Sequence, residues 1–278
     1  MLRVTLYGTR NCSNRTSISL FSDNKTVLKL AGICGIATAV CLLLGFLVRE
    51  NVAATFGGTS LSNGEYAGTL QTYGEPLEEL LVRLDKASMF HIVSRILFFA
   101  ASLLSIPMLL ALHFVTRDRK TPYGFLSLLG LVLGAAAATS FAASHVVTGP
   151  LSLDIANQYA KASTDVERRS IVATAEELDA SIGITALDNI FMAIGLVLVS
   201  IVFLSFGLVM VKTRLFQRWL GLSSIVIGIL AIVGFIAGSL TELGGVAFVP
   251  VSFFGLAWFI IVGYNIHQLS KGILDARP

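Results

Sequence analysis

Six apolar runs, at 30–48, 89–115, 123–147, 182–211, 219–240 and 246–266, constrain this chain more than anything else in it. Each is near the roughly 20 residues that a helix needs to cross a hydrocarbon layer about 30 Å thick. Inside lipid the backbone amides find no water, so a spanning segment must be a helix or a strand of a closed barrel. A barrel would be written in alternating strands of about ten residues, and the sequence carries no such pattern. Of 278 residues, 55 % are hydrophobic and 13 % charged, with mean hydropathy +0.80; soluble domains carry about a quarter charged residues. This composition excludes a disordered chain, a secreted disulfide scaffold and an ordinary nucleic-acid binder. The expected fold is all-α: a polytopic membrane helix bundle of six transmembrane helices with two helical extracytoplasmic loops.

Basic residues set the orientation. Arg3, Arg10, Arg15, Lys25, Lys29, Arg117, Arg119, Lys120, Lys212, Arg214, Arg218, Lys271 and Arg277 share one side, against Arg49, Arg83, Lys86, Lys161, Arg168 and Arg169 on the other. The richer side is expected in the cytoplasm, which gives a cytoplasmic tail at 1–29, a transmembrane domain at 30–266 and a second cytoplasmic tail at 267–278. Outer loops then fall at 49–88 and 148–181, and the expected location is the plasma membrane, multi-pass. Acidic residues gather outside, among them Glu75, Glu78, Glu79, Asp165, Glu176 and Glu177. The basic inner face suits anionic lipid, and the acidic outer face favours cations over anions. The first run is too long for the apolar region of a signal peptide and is taken as a span. Cys12, Cys34 and Cys41 show no disulfide or metal spacing.

The outer loops carry helical signals. Pro76 suits a first helical position, and Leu77, Leu80, Leu81 and Leu84 follow as an amphipathic stripe. In the second loop Thr164 and Glu167 have capping-box spacing, and Ile171, Ala175 and Leu178 continue one apolar face. Both segments are expected to lie on the outer membrane surface or over the mouth of the bundle. The stretch FGGTSLSNG at 56–64 reads as a linker. Small residues let membrane helices approach closely, so the pairs Gly130/Gly134 and Gly234/Gly238 mark helix contacts. Those contacts could lie within one chain, or join a second copy or another membrane protein. Pro107 is expected to kink the second span. Two hairpins headed by Tyr123 and Trp219 are faintly alike, as in transporter repeats, and chance explains them as well.

KTRLFQRWLG at 212–221, with DIANQYAKA at 154–162 and DVERR at 165–169, carries a likeness. The chain resembles an uncharacterised prokaryotic six-span membrane protein family, a domain of unknown function with a Leu-x-Pro-Arg-Trp-Leu element before the fifth span. The likeness extends over about 89–235 and departs where Gln217 replaces the family's Pro. It implies the architecture and a prokaryotic plasma membrane, and it supplies no catalytic residue.

Ionisable groups inside a bilayer cost roughly 3 kcal/mol or more, which makes them functional candidates. Arg95 and Asp188 lie well inside the second and fourth runs, each about 9 Å from the outer end at 1.5 Å per residue. Equal depth and opposite charge predict an ion pair; both groups could also snorkel to the interface. Near that level stand His91, one turn before Arg95, together with Ser140, His145, Asn189 and Glu242. Together they could line a polar cavity facing outward. A haem between His91 and His113 is disfavoured, because 22 residues separate them by about 33 Å. Zinc would need four helix ends to converge with no HExxH or CxxC, so neither cofactor nor metal is expected. The chain also lacks a GxSxG elbow, a Walker loop and a basic-aromatic run for nucleic acid.

The expected function is binding or moving a small solute or amphiphile through the outward-facing cavity. A non-catalytic structural or accessory subunit using the glycine faces is the alternative. An intramembrane metal-dependent enzyme stands third.

Overall fold

The computed structural model describes residues 25–56, 77–117, 123–182, 184–213, 216–240 and 244–271. The described residues are almost wholly helical: α1 (Lys25–Phe56), α2 (Leu77–Lys86), α3 (Ser88–Thr116), α4 (Tyr123–Lys161), α5 (Asp165–Ile182), α6 (Ile184–Thr213), α7 (Arg218–Leu240) and α8 (Gly244–Ser270). Five helices among the described residues, within α1, α3, α4, α6 and α7, are long and apolar enough to cross a membrane. The sixth apolar run falls in α8. The tails at 1–24 and 272–278 and the linker at 56–64, beyond Phe56, lie outside the described residues.

The six long helices close into a ring in chain order. α1 packs on α3, α3 on α4, α4 on α6, α6 on α7, α7 on α8, and α8 returns to α1. Glycine makes two of these seams close. A methyl group at Gly32 would stand 2.7 Å from the Gly263 carbonyl oxygen and the His267 nitrogen, and one at Gly263 would stand 2.7 Å from the Gly32 carbonyl. Hence α1 and α8 meet backbone to backbone. Gly207 and Gly221 do the same for α6 and α7, with a methyl on either falling 2.8 or 2.9 Å from the other's carbonyl oxygen. The predicted pair Gly130/Gly134 works differently. Gly130 receives the ring of Phe206 and Gly134 the side chain of Leu109, so each is a notch for a knob from the same chain. The surroundings of Gly238 are outside the description.

One end of the ring is capped. α4 is 39 residues long, about 58 Å, nearly twice the thickness of a hydrocarbon layer. The helix was expected to leave the membrane near Val147 and give way to a loop; instead it continues through Pro150 to Lys161. Its projecting part packs against α2 and α5 around Leu81, Ile155, Ala156, Tyr159 and Ala175. The apolar faces of these two segments, expected on the outer membrane surface or over the mouth of the bundle, line a small separate core at the capped end. Arg168 of α5 sits over the Tyr159 ring, 5.9 Å from its centroid. The main core lies toward the opposite, far end, where Met108, Leu112, Phe206, Met210, Val262 and Ile266 are each 0 % exposed. Pro107 lies inside α3, which runs unbroken from Ser88 to Thr116.

Candidate functional site

At the capped end, α3 carries His91 and Arg95 one turn apart. Arg95 donates from Nε to His91 Nε2 at 2.7 Å and from a terminal guanidinium nitrogen toward the His145 carbonyl on α4 at 3.4 Å. A guanidinium can only donate, so His91 Nε2 must present its lone pair, which places the ring hydrogen on Nδ1. The His145 ring stacks on Phe98, with centroids 5.3 Å apart and planes at 22°. Phe98 in turn meets Phe46 of α1 edge to face at 5.2 Å and fills the notch at Gly45, where a methyl would be 3.0 Å from the ring. Arg49, near the capped end of α1, is electrostatically close to both imidazoles. In the sequence Arg49 counts only as one of the six basic residues of the outer side.

The structure thus brings together three of the predicted cavity residues, His91, Arg95 and His145. Ser140 is half-buried on α4, five residues before His145 and so about 140° around the helix from it. Asp188 and Asn189 belong to α6, but their side chains lie outside the description, as does Glu242 altogether. The expected Arg95–Asp188 pair is therefore not among the described contacts.

Beneath the aromatic stack, near the middle of the long helices, is a cavity of about 150 Å³. Its wall is drawn from five of the six ring helices: Thr38 and Leu42 of α1, Ser102 and Ser105 of α3, Ala138 and Phe141 of α4, Phe203 of α6, Trp258 and Phe259 of α8. Of the predicted cavity residues whose side chains are described, His91, Arg95, Ser140 and His145, none lines it. The wall looks polar in sequence and is apolar in structure, because each hydroxyl turns back on its own helix. Thr38 donates to the Cys34 carbonyl at 2.8 Å, Ser102 to the Phe98 carbonyl at 2.9 Å and Ser105 to the Ser102 carbonyl at 2.7 Å. A site this size with an apolar wall has room for a benzene-sized guest. No sequence signal announces it, since its residues are the same apolar and small types that face lipid elsewhere.

The far end holds a second polar cluster, one that sequence reading noted only as the position of His113. His113 Nδ1 pairs with Ser127 Oγ at 2.9 Å, Ser127 Oγ with Thr116 Oγ1 at 2.8 Å, and Thr116 donates to the Leu112 carbonyl at 2.7 Å. A Ser–His pair suggests a nucleophile, but Ser127 is 0 % exposed and no substrate could reach it. The cluster is a clasp between α3 and α4.

In the cap, Glu167 N donates to Thr164 Oγ1 at 3.2 Å, while the Glu167 carboxylate accepts from the Ser163 and Thr164 nitrogens at 2.8 and 3.2 Å. The capping box read from the sequence is formed. The Ser163 amide, with the Ser163 hydroxyl and the Thr164 amide, holds the Glu167 carboxyl below its usual range. Among the described residues, no group of three or more His, Cys, Asp or Glu is placed to hold a metal ion. No family model, curated protein or solved structure matches this chain.

Proposed function

We propose that the chain is a six-span plasma-membrane protein with both termini in the cytoplasm, α2 and α5 outside, and a chamber that binds or passes a small amphiphile or apolar solute. The observation that carries this reading is the 150 Å³ cavity lying under the Phe46–Phe98–His145 stack. Polar mouth, aromatic lid and apolar chamber occur in that order along α1, α3 and α4. Arg95, His91 and His145 form the mouth; Ser140, Asp188, Asn189 and Glu242 are candidates for its rim from the sequence alone. A guest with a polar end and a short apolar body would meet the guanidinium first and then displace Phe98 to enter. The six-span prokaryotic family that 212–221 resembles is part of the same reading.

The alternative, an accessory subunit docked through glycine faces, draws less support, since Phe206 and Leu109 already occupy Gly130 and Gly134. Native mass spectrometry of the detergent-purified protein tests the proposal. A small molecule is expected to be retained at one per chain and lost when Ala138→Phe fills the chamber. Retention of nothing, or equal retention by the filled variant, would sink it.

A further inference from the structure

Protein interiors pack like organic crystals, and a void forfeits the contacts that its lining atoms could make. The chamber of about 150 Å³ stands out against the filled core of the far end. Three alanines, Ala101, Ala137 and Ala138, each at most 4 % exposed, leave the space that larger side chains would take up. The aromatic residues around it are braced and cannot swing in. Phe203 meets Trp258 and Phe259 edge to face at 4.9 and 6.4 Å, and Phe141 is wedged into the notch at Gly195 of α6, where a methyl would stand 2.7 Å from its ring. The wall is almost wholly carbon, because the hydroxyls of Thr38, Ser102 and Ser105 turn to carbonyls of their own helices.

Resting on the chamber reading above, we propose that the part of the guest held in the chamber is a compact hydrocarbon about the size of one benzene ring, and that the guest is a free molecule, not the tail of a bilayer lipid. The size follows from the volume, since an apolar cavity of about 150 Å³ holds benzene. The chemistry follows from the wall. A charge would find no partner there, and a hydrogen-bonding group would exchange water for carbon. A guest that carries a polar end keeps it at the mouth, with Arg95 and His91. The ring of helices argues against a lipid tail. Each long helix packs on the next in chain order, and the α1–α8 and α6–α7 seams are shut backbone to backbone. A tail tied to its headgroup would hold two helices apart for as long as it stayed bound, whereas a free molecule displaces its barrier only in passing.

Benzene and pyridine test the hydrocarbon assignment: they have the same shape and are both uncharged at neutral pH, and only pyridine carries an acceptor nitrogen. Radiolabelled samples of each are titrated into nanodiscs of the full chain and into empty nanodiscs, with concentrations taken within the lipid phase. Beyond the linear uptake of the lipid, benzene is expected to bind saturably at one per chain, about tenfold more tightly than pyridine. Equal affinities, or tighter binding of pyridine, overturn this inference and leave the chamber reading standing. No saturable binding of either probe overturns both. Ala138→Phe, with Ser102→Leu as a second filling variant, should abolish the saturable uptake, and uptake unchanged in a folded filled variant also overturns both. The source of the guest is tested by repeating the benzene titration in lipids with straight tails and in lipids with bulkier methyl-branched tails. The affinity is expected to be the same in the two. An affinity several-fold higher among branched tails would identify a straight lipid tail as the occupant and overturn the free-molecule assignment.

Discussion

The two ends of the ring handle polar groups in opposite ways. At the far end, His113, Ser127 and Thr116 answer one another inside a core whose largest side chains are fully buried. At the capped end, a guanidinium, two imidazoles and an aromatic stack lie above an apolar chamber. Tight packing in one half and a void in the other imply a division of labour. The far end holds the helices in register, so the capped end can afford a loosely filled interior.

That contrast can be broken by substitution. The largest effect is expected from Phe206→Ala, which empties the far-end core and the Gly130 notch together. A loss of about 3 to 5 kcal/mol is expected, read as a lowered thermal midpoint in detergent; a loss below 1 kcal/mol would mean that the far end is not the stabilising half. Ser127→Ala should come next, at about 1 to 3 kcal/mol, because it strands His113 and Thr116 in a buried site. Ligand retention should survive it, and loss of retention without loss of stability would assign the clasp a role in binding. Arg95→Ala should show the reverse pattern, costing about 1 kcal/mol of stability while abolishing retention of an amphiphile in native mass spectrometry. A double-mutant cycle with Asp188→Ala sharpens this prediction. Strictly additive losses would mean that the two groups do not form the predicted pair.

The smallest effects belong to the cap. Thr164→Ala should weaken the start of α5 by about 1 kcal/mol. Glu167 has a folded-state pKa below its ordinary value of 4.5, so its contribution is complete above that value and is lost as pH falls through the lowered one. The protection of the amides at the start of α5, with the intrinsic pH dependence of exchange divided out, should therefore be flat in neutral solution and fall in acid. Glu167→Gln should remove the acid step, and an unchanged pH profile would show that the carboxylate is not what caps the helix.

What could be read from the sequence follows the range of the forces involved. The capping box of Thr164 and Glu167, and the part of the Leu77, Leu80, Leu81 and Leu84 stripe that is described, Leu81 and Leu84, depend on neighbours within two turns, so their spacing announces them. The spans are legible because lipid imposes their length. Partners across the ring are not, because a glycine says only that something comes close. Gly130 and Gly134 were rightly marked as contacts, yet what fills them is a phenylalanine ring and a leucine. The Gly32–Gly263 and Gly207–Gly221 seams went unnoticed because neither falls into a repeated pattern within one helix. The end of the third apolar run near Val147 is likewise no guide to where α4 stops, since the helix continues through Pro150 to Lys161. The chamber left no trace, as Thr38, Ser102 and Ser105 look alike whether they face a guest, a helix or lipid.

The seam between α1 and α8 bears on how the molecule is made. During synthesis α1 enters the bilayer with its notch at Gly32 bare, and its mate is the helix farthest along the chain. The circle can shut only after every intervening segment has been threaded. Trp258 and Phe259 arrive with that last segment, so the chamber gains this part of its wall only when the circle shuts. A chain that stopped before α8 would leave an arc with one wall missing and Gly32 without the helix it packs on.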